Sequence, residues 1–278
     1  MNIVRFAIVT PVRNSRELVG ETVKSIVSQE SFVSGRHSID YIVQDGDSSD
    51  GTQEEAMRLS NGMARVISAP DSSMYDALAR GLRAVEGDVY FYLNAGDLLM
   101  PGAIEVAAEV FARWQPYWVC GLHTLFTREG AILRTRLPYR YHPDWIRRGV
   151  YGRGLPFIQQ ESTFWSRAAM KSVDLDVLAS YRYAGDHYLW STFAQVGPPQ
   201  IIQAALGGFR LHGNHLSEDW RGYQDEVMRT VERRAHLLNP RVMIERAVWR
   251  APDRVKIALN RGIVRYNIDQ LTWSREQR

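Results

Sequence analysis

An α/β fold with a mostly parallel central sheet follows from three features of this sequence. Apolar runs alternate with amphipathic helical stretches through the first half. Most of these runs end in turns rich in Asn, Asp and Gly. The helical stretches are long enough to carry right-handed crossovers between neighbouring strands. Phe6–Thr10 reads as the first strand, and Arg16–Gln29 as a helix with Leu18, Val19, Thr22, Val23, Ile26 and Val27 at helical spacing and Ser15 as N-cap. Tyr41–Gln44 is a second strand, and Thr52–Leu59 a helix that Asp50 caps. Ala64–Ser68 is a third strand. Ser72–Val85 is a helix with Met74, Ala77, Leu78, Leu82 and Val85 on one face. Val89–Leu93 is a fourth strand, and Gly102–Trp114 a helix after Pro101.

The pattern changes after Tyr117. Trp118–Phe126 and Ala131–Arg136 flank Thr127-Arg128-Glu129-Gly130 and read as an antiparallel hairpin. Leu137–Phe157 is rich in Tyr, Arg, Pro and Gly and reads as an irregular loop. Helical signals resume over Arg167–Val173 and Gly185–Ala194, and from Glu218 onward helix is expected to dominate. The expected organisation is a domain over 1–217, with halves at 1–116 and 117–217, followed by a basic helical region over 218–278.

A chain of 278 residues with 45% hydrophobic and 23% charged residues can bury a sizeable core. Its single cysteine, Cys120, excludes an internal disulfide and a multi-cysteine zinc site, and its apolar context predicts an inert buried thiol. The N-terminus lacks the pattern of a secretory signal, and no window reaches the roughly 18 apolar residues of a membrane span, so a cytoplasmic location is expected. Val227–Arg278 carries twelve Lys or Arg against five Asp or Glu, which points to an anionic contact. Val255, Ala258, Leu259 and Ile263 fall on one helical face with Arg254, Lys256, Arg261 and Arg265 around it. Such a helix suits the inner face of a membrane, an oligomer contact or packing on its own domain. No nucleic-acid-binding motif accompanies the charge, so nucleic acid is not an expected partner.

Three strand ends aim polar turns at the crevice beyond a parallel sheet, where ligands of open α/β folds sit. They are Thr10-Pro11-Val12-Arg13-Asn14, Gln44-Asp45-Gly46-Asp47 and Leu93-Asn94-Ala95-Gly96-Asp97. Each alone reads equally well as turn chemistry. Asp45–Thr52 packs three carboxylates but fails as an EF-hand, because Asp50 takes the glycine position and Ala56 the position of the bidentate acid. Asp45 is placed to accept a hydrogen bond from a nucleobase N–H.

These segments, with Pro70-Asp71-Ser72-Ser73-Met74-Tyr75-Asp76 between them, resemble family 2 glycosyltransferases of the GT-A fold, which are inverting and nucleotide-sugar-dependent. The resemblance is strong over residues 3 to about 112 and thinner over Phe157–Ser217. It implies a Rossmann-like sheet with an antiparallel acceptor-side portion, a nucleotide-sugar donor, and a glycan or lipid-linked acceptor in polysaccharide biosynthesis. It also implies a donor site containing Thr10, Pro11, Arg13, Asp45, Asp71 and Asn94. The family's aspartate-rich turn falls on Asn94-Ala95-Gly96-Asp97, which leaves Asp97 to hold Mg²⁺ or Mn²⁺ with substrate phosphates.

Phe157-Ile158-Gln159-Gln160-Glu161-Ser162-Thr163-Phe164 resembles the family's H-Q-x-x-F segment, with Gln160-Glu161 in place of His-Gln. Tyr183-Ala184-Gly185-Asp186-His187 resembles the segment bearing the catalytic acid, which maps onto Asp186. Asp186 equally suits a structural N-cap, and the neighbouring His187 reads as structural. Arg210-Leu211-His212-Gly213 resembles the loop closing over the donor, so Arg210 and His212 are expected at the diphosphate. Arg140, Arg147, Arg148 and Arg153 either cover an anionic acceptor or face water. A sugar-1-phosphate nucleotidyltransferase would want a glycine-rich loop after the first strand, which Thr10–Ser15 lacks. A non-catalytic nucleotide- or sugar-binding module is the alternative outside enzymes.

Overall fold

Phe6, Ala7, Ile8 and Val9 have no exposed surface, because their strand lies mid-sheet with both faces covered. The computed structural model describes residues 3–211, 219–231 and 239–276. The chain runs β1 (Arg5–Val12), α1 (Arg16–Val27), α2 (Glu30–Val33), β2 (Ser38–Asp45), α3 (Thr52–Ser60), β3 (Ala64–Ser68), α4 (Met74–Ala84) and β4 (Val89–Tyr92). It continues through β5 (Leu98–Leu99), α5 (Ala103–Trp114), β6 (Trp118–Cys120), β7 (His123–Phe126), β8 (Ile132–Arg136), α6 (Pro143–Arg147), a 3₁₀ turn (Gln160–Ser162), β9 (Thr163–Ser166) and α7 (Arg167–Met170). The remainder is α8 (Leu175–Ala179), α9 (Gly185–Phe193), β10 (Gln200–Ile201), β11 (Gly207–Arg210), α10 (Trp220–Thr230), α11 (Pro240–Arg250), α12 (Asp253–Leu259), β12 (Arg265–Asn267) and β13 (Thr272–Ser274).

The seven-stranded sheet has the order β10-β6-β9-β4-β1-β2-β3. β1 pairs in parallel with both β2 and β4, so the strand order reverses beside it. The crevice at such a switch point is open to a ligand. β9 runs antiparallel between β4 and β6. A second sheet, β5-β11-β7-β8, leans over that crevice.

Two sequence expectations change here. Trp118–Phe126 is not one strand: the backbone breaks at Gly121-Leu122, with β6 in the main sheet and β7 in the second. Gly121 donates to the Ser162 carbonyl and Leu122 to the Ala204 carbonyl, which turns the chain between sheets. The C-terminal region is not wholly helical either, because β12 and β13 form a hairpin. That hairpin lies on α5, where Arg113 donates to the Trp273 carbonyl at 2.6 Å.

The basic region packs on the chain's own body. Trp249 sits against the rings of Tyr141 and Tyr151, and Lys256 is buried with its Nζ on the Leu137 carbonyl. The apolar helical face expected over Val255–Ile263 is therefore divided. Val255 and Leu259 are exposed, whereas Ile263 lies beyond the end of α12 and is fully buried. Among the described residues no helix is long and apolar enough to cross a membrane.

An aromatic cluster anchors α9. Trp190 stacks on Trp118 with centroids 5.5 Å apart, and Phe193 meets Trp118 and Trp165 at 5.7 Å. Burying side chains of this size contributes about 2–3 kcal/mol each, so the helix carrying Asp186 is rigidly seated.

Candidate active site

A cleft of about 990 Å³ opens at the carboxyl ends of β1 and β4. Of the residues expected in a site, Pro11, Arg13, Asp71, Asn94, Asp97 and Asp186 line it. Thr10, Asp45 and Arg210 lie behind its wall, and His212 falls outside the described residues.

The corner after β4 is shaped by α1. The Thr22 hydroxyl accepts from the Gly96 N–H at 2.9 Å and donates to the Asp97 carbonyl at 2.8 Å. Gly96 has φ +105°, a conformation that favours glycine. Asp97 is buried, and its Oδ1 accepts the Arg210 N–H at 3.0 Å. Burial and the nearby Glu161 carboxyl hold Asp97 well above the usual carboxylate range. Glu161, on the 3₁₀ turn, is likewise pushed up to about 7 by burial. Gly207 on β11 touches the Glu161 backbone so closely that a Cβ would overlap its carbonyl.

Asn94 completes this corner. Its Oδ1 is buried without a hydrogen-bond partner, while its Nδ2 reaches Gln160 Oε1 at 3.4 Å. Two carboxyls and a free amide oxygen form a hard oxygen set. Among the described residues no group of three or more His, Cys, Asp and Glu converges on a metal site. Oxygens of this kind suit an ion such as Mg²⁺ only where phosphates and water supply its remaining ligands.

Asp186 occupies the first turn of α9, whose N-cap is Ala184. It is therefore not the structural cap that the sequence also allowed. The turn before it is held from α10: Glu226 accepts the N–H groups of Arg182, Tyr183 and Ala184 at 2.9, 2.7 and 2.6 Å. Gly185 lies flat on the Tyr75 ring, where no Cβ would fit. Asp186 Oδ1 accepts its neighbour's N–H at 2.7 Å, and Tyr223 donates to Oδ2 at 3.4 Å. Burial among these rings pushes the carboxyl up to about 6. His187 turns away and donates through Nε2 to the Ile146 carbonyl at 3.1 Å; burial pushes it down to about 4.

The turn after β2 is built differently. Asp45 has no exposed surface, and its carboxylate accepts the Ser48 N–H at 3.0 Å, the Ser68 hydroxyl at 2.6 Å and the Ser48 hydroxyl. Asp45, expected to meet a nucleobase, is thus engaged by three donors of its own chain. Thr10 is buried against Tyr41 Oη at 2.9 Å. Asp71 does face the cleft above Gly46, whose missing side chain makes room for its carboxylate. Burial raises Asp71 and the Arg13 charge opposes that rise.

The arginines are redistributed as well. Arg210 does not reach the cleft: its guanidinium is committed to Glu21 and to the Arg128 carbonyl. Arg147 and Arg148 pair with Asp144, and Arg140 donates to the Leu259 carbonyl. None of Arg140, Arg147, Arg148 and Arg153 lines the cleft, which takes Arg13, Arg134, Arg136 and Arg182 instead. Sequence reasoning also missed Glu161, Tyr223 and Glu226 as site residues. For Glu161 the signal was an acid in an apolar segment; for Glu226 no local pattern marks a carboxylate whose partners lie 42–44 residues away.

Comparison with known proteins bears on this geometry. The model of Glycosyl transferase family 2 matches residues 7–170. An uncharacterized glycosyltransferase of Mycobacterium tuberculosis is 28% identical over 214 residues, covering 74% of this chain and 75% of the relative. S. aureus TarS 1-349 in complex with UDP-GlcNAc superimposes with TM-score 0.63 at 13% identity, over 93% of this chain and 72% of that one. Mannosyltransferase PcManGT from Pyrobaculum calidifontis, in complex with GDP-Man and Mn²⁺, gives TM-score 0.58 at 15% identity, over 93% and 79% of the two chains. M. tuberculosis glucosyl-3-phosphoglycerate synthase gives 0.56 at 21% identity, over 82% and 79%. The architecture is the GT-A fold of these structures.

Proposed function

Because the chain belongs to glycosyl transferase family 2 and is an enzyme of that family, we propose that it moves a sugar from a nucleotide-diphosphate donor to an acceptor hydroxyl with inversion. The observation that carries this reading is Asp186, a ring-enclosed carboxyl in the same cleft as Asp71 and Asp97. A base raised to about 6 is still ionised at neutral pH, yet takes up a proton readily. The acceptor oxygen bonds to the anomeric carbon from the face opposite the diphosphate. The carbon–oxygen bond to phosphate breaks, the electron pair leaves with the diphosphate, and the acceptor proton passes to Asp186. Glu226 sets the direction of that carboxylate by fixing the turn before it.

Pro11, Arg13 and Asp71 line the donor side, with Thr10 and Asp45 shaping their turns from behind. Asp97, Asn94 and Glu161 would hold Mg²⁺ or Mn²⁺, which when bound supplies positive charge to the leaving diphosphate. Support for a nucleotide-sugar donor comes from the UDP-GlcNAc and GDP-Man complexes of proteins with the same fold. Asp186→Asn is expected to lower transfer about 10²–10⁴-fold across a panel of UDP- and GDP-sugars. Calorimetric affinity for UDP or GDP should stay within about twofold of wild type, because the carboxylate lies on the acceptor side. Unchanged turnover would remove Asp186 from the mechanism.

A further inference from the structure

The β7–β8 hairpin gives the cleft a cationic wall for which the chemistry above has no use. His123, Leu125, Arg134 and Arg136 line the cleft. His123 stands opposite Arg136 and Leu125 opposite Arg134, so these side chains share one face of the hairpin. The two guanidinium-bearing positions are two residues apart, about 7 Å along the strand. Among the described residues neither arginine has an ion-pair partner, although Arg128 and Arg210 close by pair with Glu17 and Glu21.

The acids of the cleft are not their counter-ions. Among the described residues none of Asp71, Asp97, Glu161 and Asp186 forms an ion pair with either guanidinium, and Asp97 is held by the Arg210 N–H. His123 is pushed down to about 3 by burial, then by Arg136, Lys256 and Arg134. A neutral imidazole therefore sits beside the pair, and among the described residues no carboxylate is paired with them.

A donor diphosphate at Asp97 would meet a different strand of this sheet. β8 is the far edge of the β5-β11-β7-β8 sheet, and β5 begins immediately after Asp97. Asp97 is held by the Arg210 N–H of β11, and two strand spacings, roughly 10 Å, separate β11 from β8. The cleft also holds an aromatic platform. Trp220 and Tyr223 are parallel with centroids 5.9 Å apart, and Phe157 meets both edge-on. Trp220 and Phe157 are 36% and 40% exposed. Ring faces of this kind suit the C–H face of a sugar, and Tyr223 also touches Asp186.

We propose that Arg134 and Arg136 form an acceptor subsite for an acidic group, so that the preferred acceptor is a sugar bearing a phosphate or carboxylate. This deepens the glycosyltransferase reading and rests on it. The sugar lies on the Phe157–Trp220 platform with its reacting hydroxyl at Asp186, and its acidic substituent reaches the hairpin.

The test saturates the full chain with UDP or GDP and Mn²⁺, which fills the donor phosphate site, and then titrates methyl phosphate by calorimetry. Acetate in a parallel titration separates a phosphate preference from a carboxylate one. Saturable binding is expected in wild type. In the Arg134→Gln/Arg136→Gln double variant it should be at least about tenfold weaker, since two charge-assisted bonds to the anion are lost. Nucleotide affinity should stay within about twofold. Equal anion binding in the variant would overturn the proposal and leave the arginines as guards of an edge strand. A parallel loss of nucleotide affinity would assign them to the donor instead. If neither UDP nor GDP binds, the donor reading fails, while the same titrations without nucleotide still decide whether the arginine pair takes an anion.

Discussion

Two carboxylate corners of this molecule are built on opposite plans. After β2, Asp45 is fully buried and accepts three hydrogen bonds from protein donors. After β4, Asp97 has a single backbone donor, a second carboxyl at Glu161 beside it, and an unpartnered amide oxygen at Asn94. A buried carboxylate with its donors in place stabilises the fold, whereas one left short of partners is costly to the apo protein and available to a ligand. The first corner spends its charge on architecture; the second keeps it for chemistry.

The contrast can be tested from both sides. The largest expected effect is the Asp186→Asn loss of about 10²–10⁴ in transfer; it would place the catalytic centre on the underpartnered side of the cleft. Next, Asp45→Ala should destabilise the protein by about 3 kcal/mol, because buried donors of Ser48 and Ser68 lose a charged acceptor. Urea unfolding measures this, and a change below about 0.5 kcal/mol would show that Asp45 is not a structural group.

Asp97→Asn should do the reverse. It is expected to leave the unliganded protein as stable as wild type or more so at pH 8, while Mn²⁺ no longer tightens UDP or GDP binding. A stability loss like that of Asp45→Ala would erase the distinction between the corners. The smallest effect is in pH dependence. Asp97 and Glu161 are raised in the folded state, the latter to about 7. Folded protein thus binds protons that the unfolded chain has released, so stability falls as pH rises from the ordinary carboxylate range to about 7. Melting temperature without ligand should drop between pH 5 and pH 8 in wild type and drop less in Glu161→Gln. Transfer should instead decline as pH falls through about 6, where Asp186 takes up its proton.

Much of the donor half was legible because its elements are local. Phe6–Thr10, Ala64–Ser68 and the helix carrying Met74, Leu78 and Leu82 announce themselves by periodicity, and their ends fall within a few residues of those observed. β9 was not legible. Thr163–Ser166 is too short to show a period, and its antiparallel place between β4 and β6 is a tertiary choice. The same choice splits the Trp118–Phe126 run between two sheets at Gly121-Leu122. At the site, the resemblance led to Asp97, Asp71 and Asp186 in the cleft. Asp45 and Arg210, expected there too, are engaged by their own chain, because a sequence shows which side chain could face a ligand but not which neighbours reach it first. Glu226 could not be found at all, since nothing in residues 220–230 reports the three N–H groups waiting at residues 182–184.

That helix-to-turn bracket divides the molecule's inheritance. The family match ends at residue 170, yet Asp186 and the Glu226 carboxylate that orients its turn both lie beyond it. The aim of the proposed base is thus set by a clamp in the C-terminal part of the chain, beyond the matched segment. In a chimera, α9 and α10 would have to travel together: a foreign donor half could be grafted onto this pair, but α9 transplanted alone would arrive with its turn unfastened.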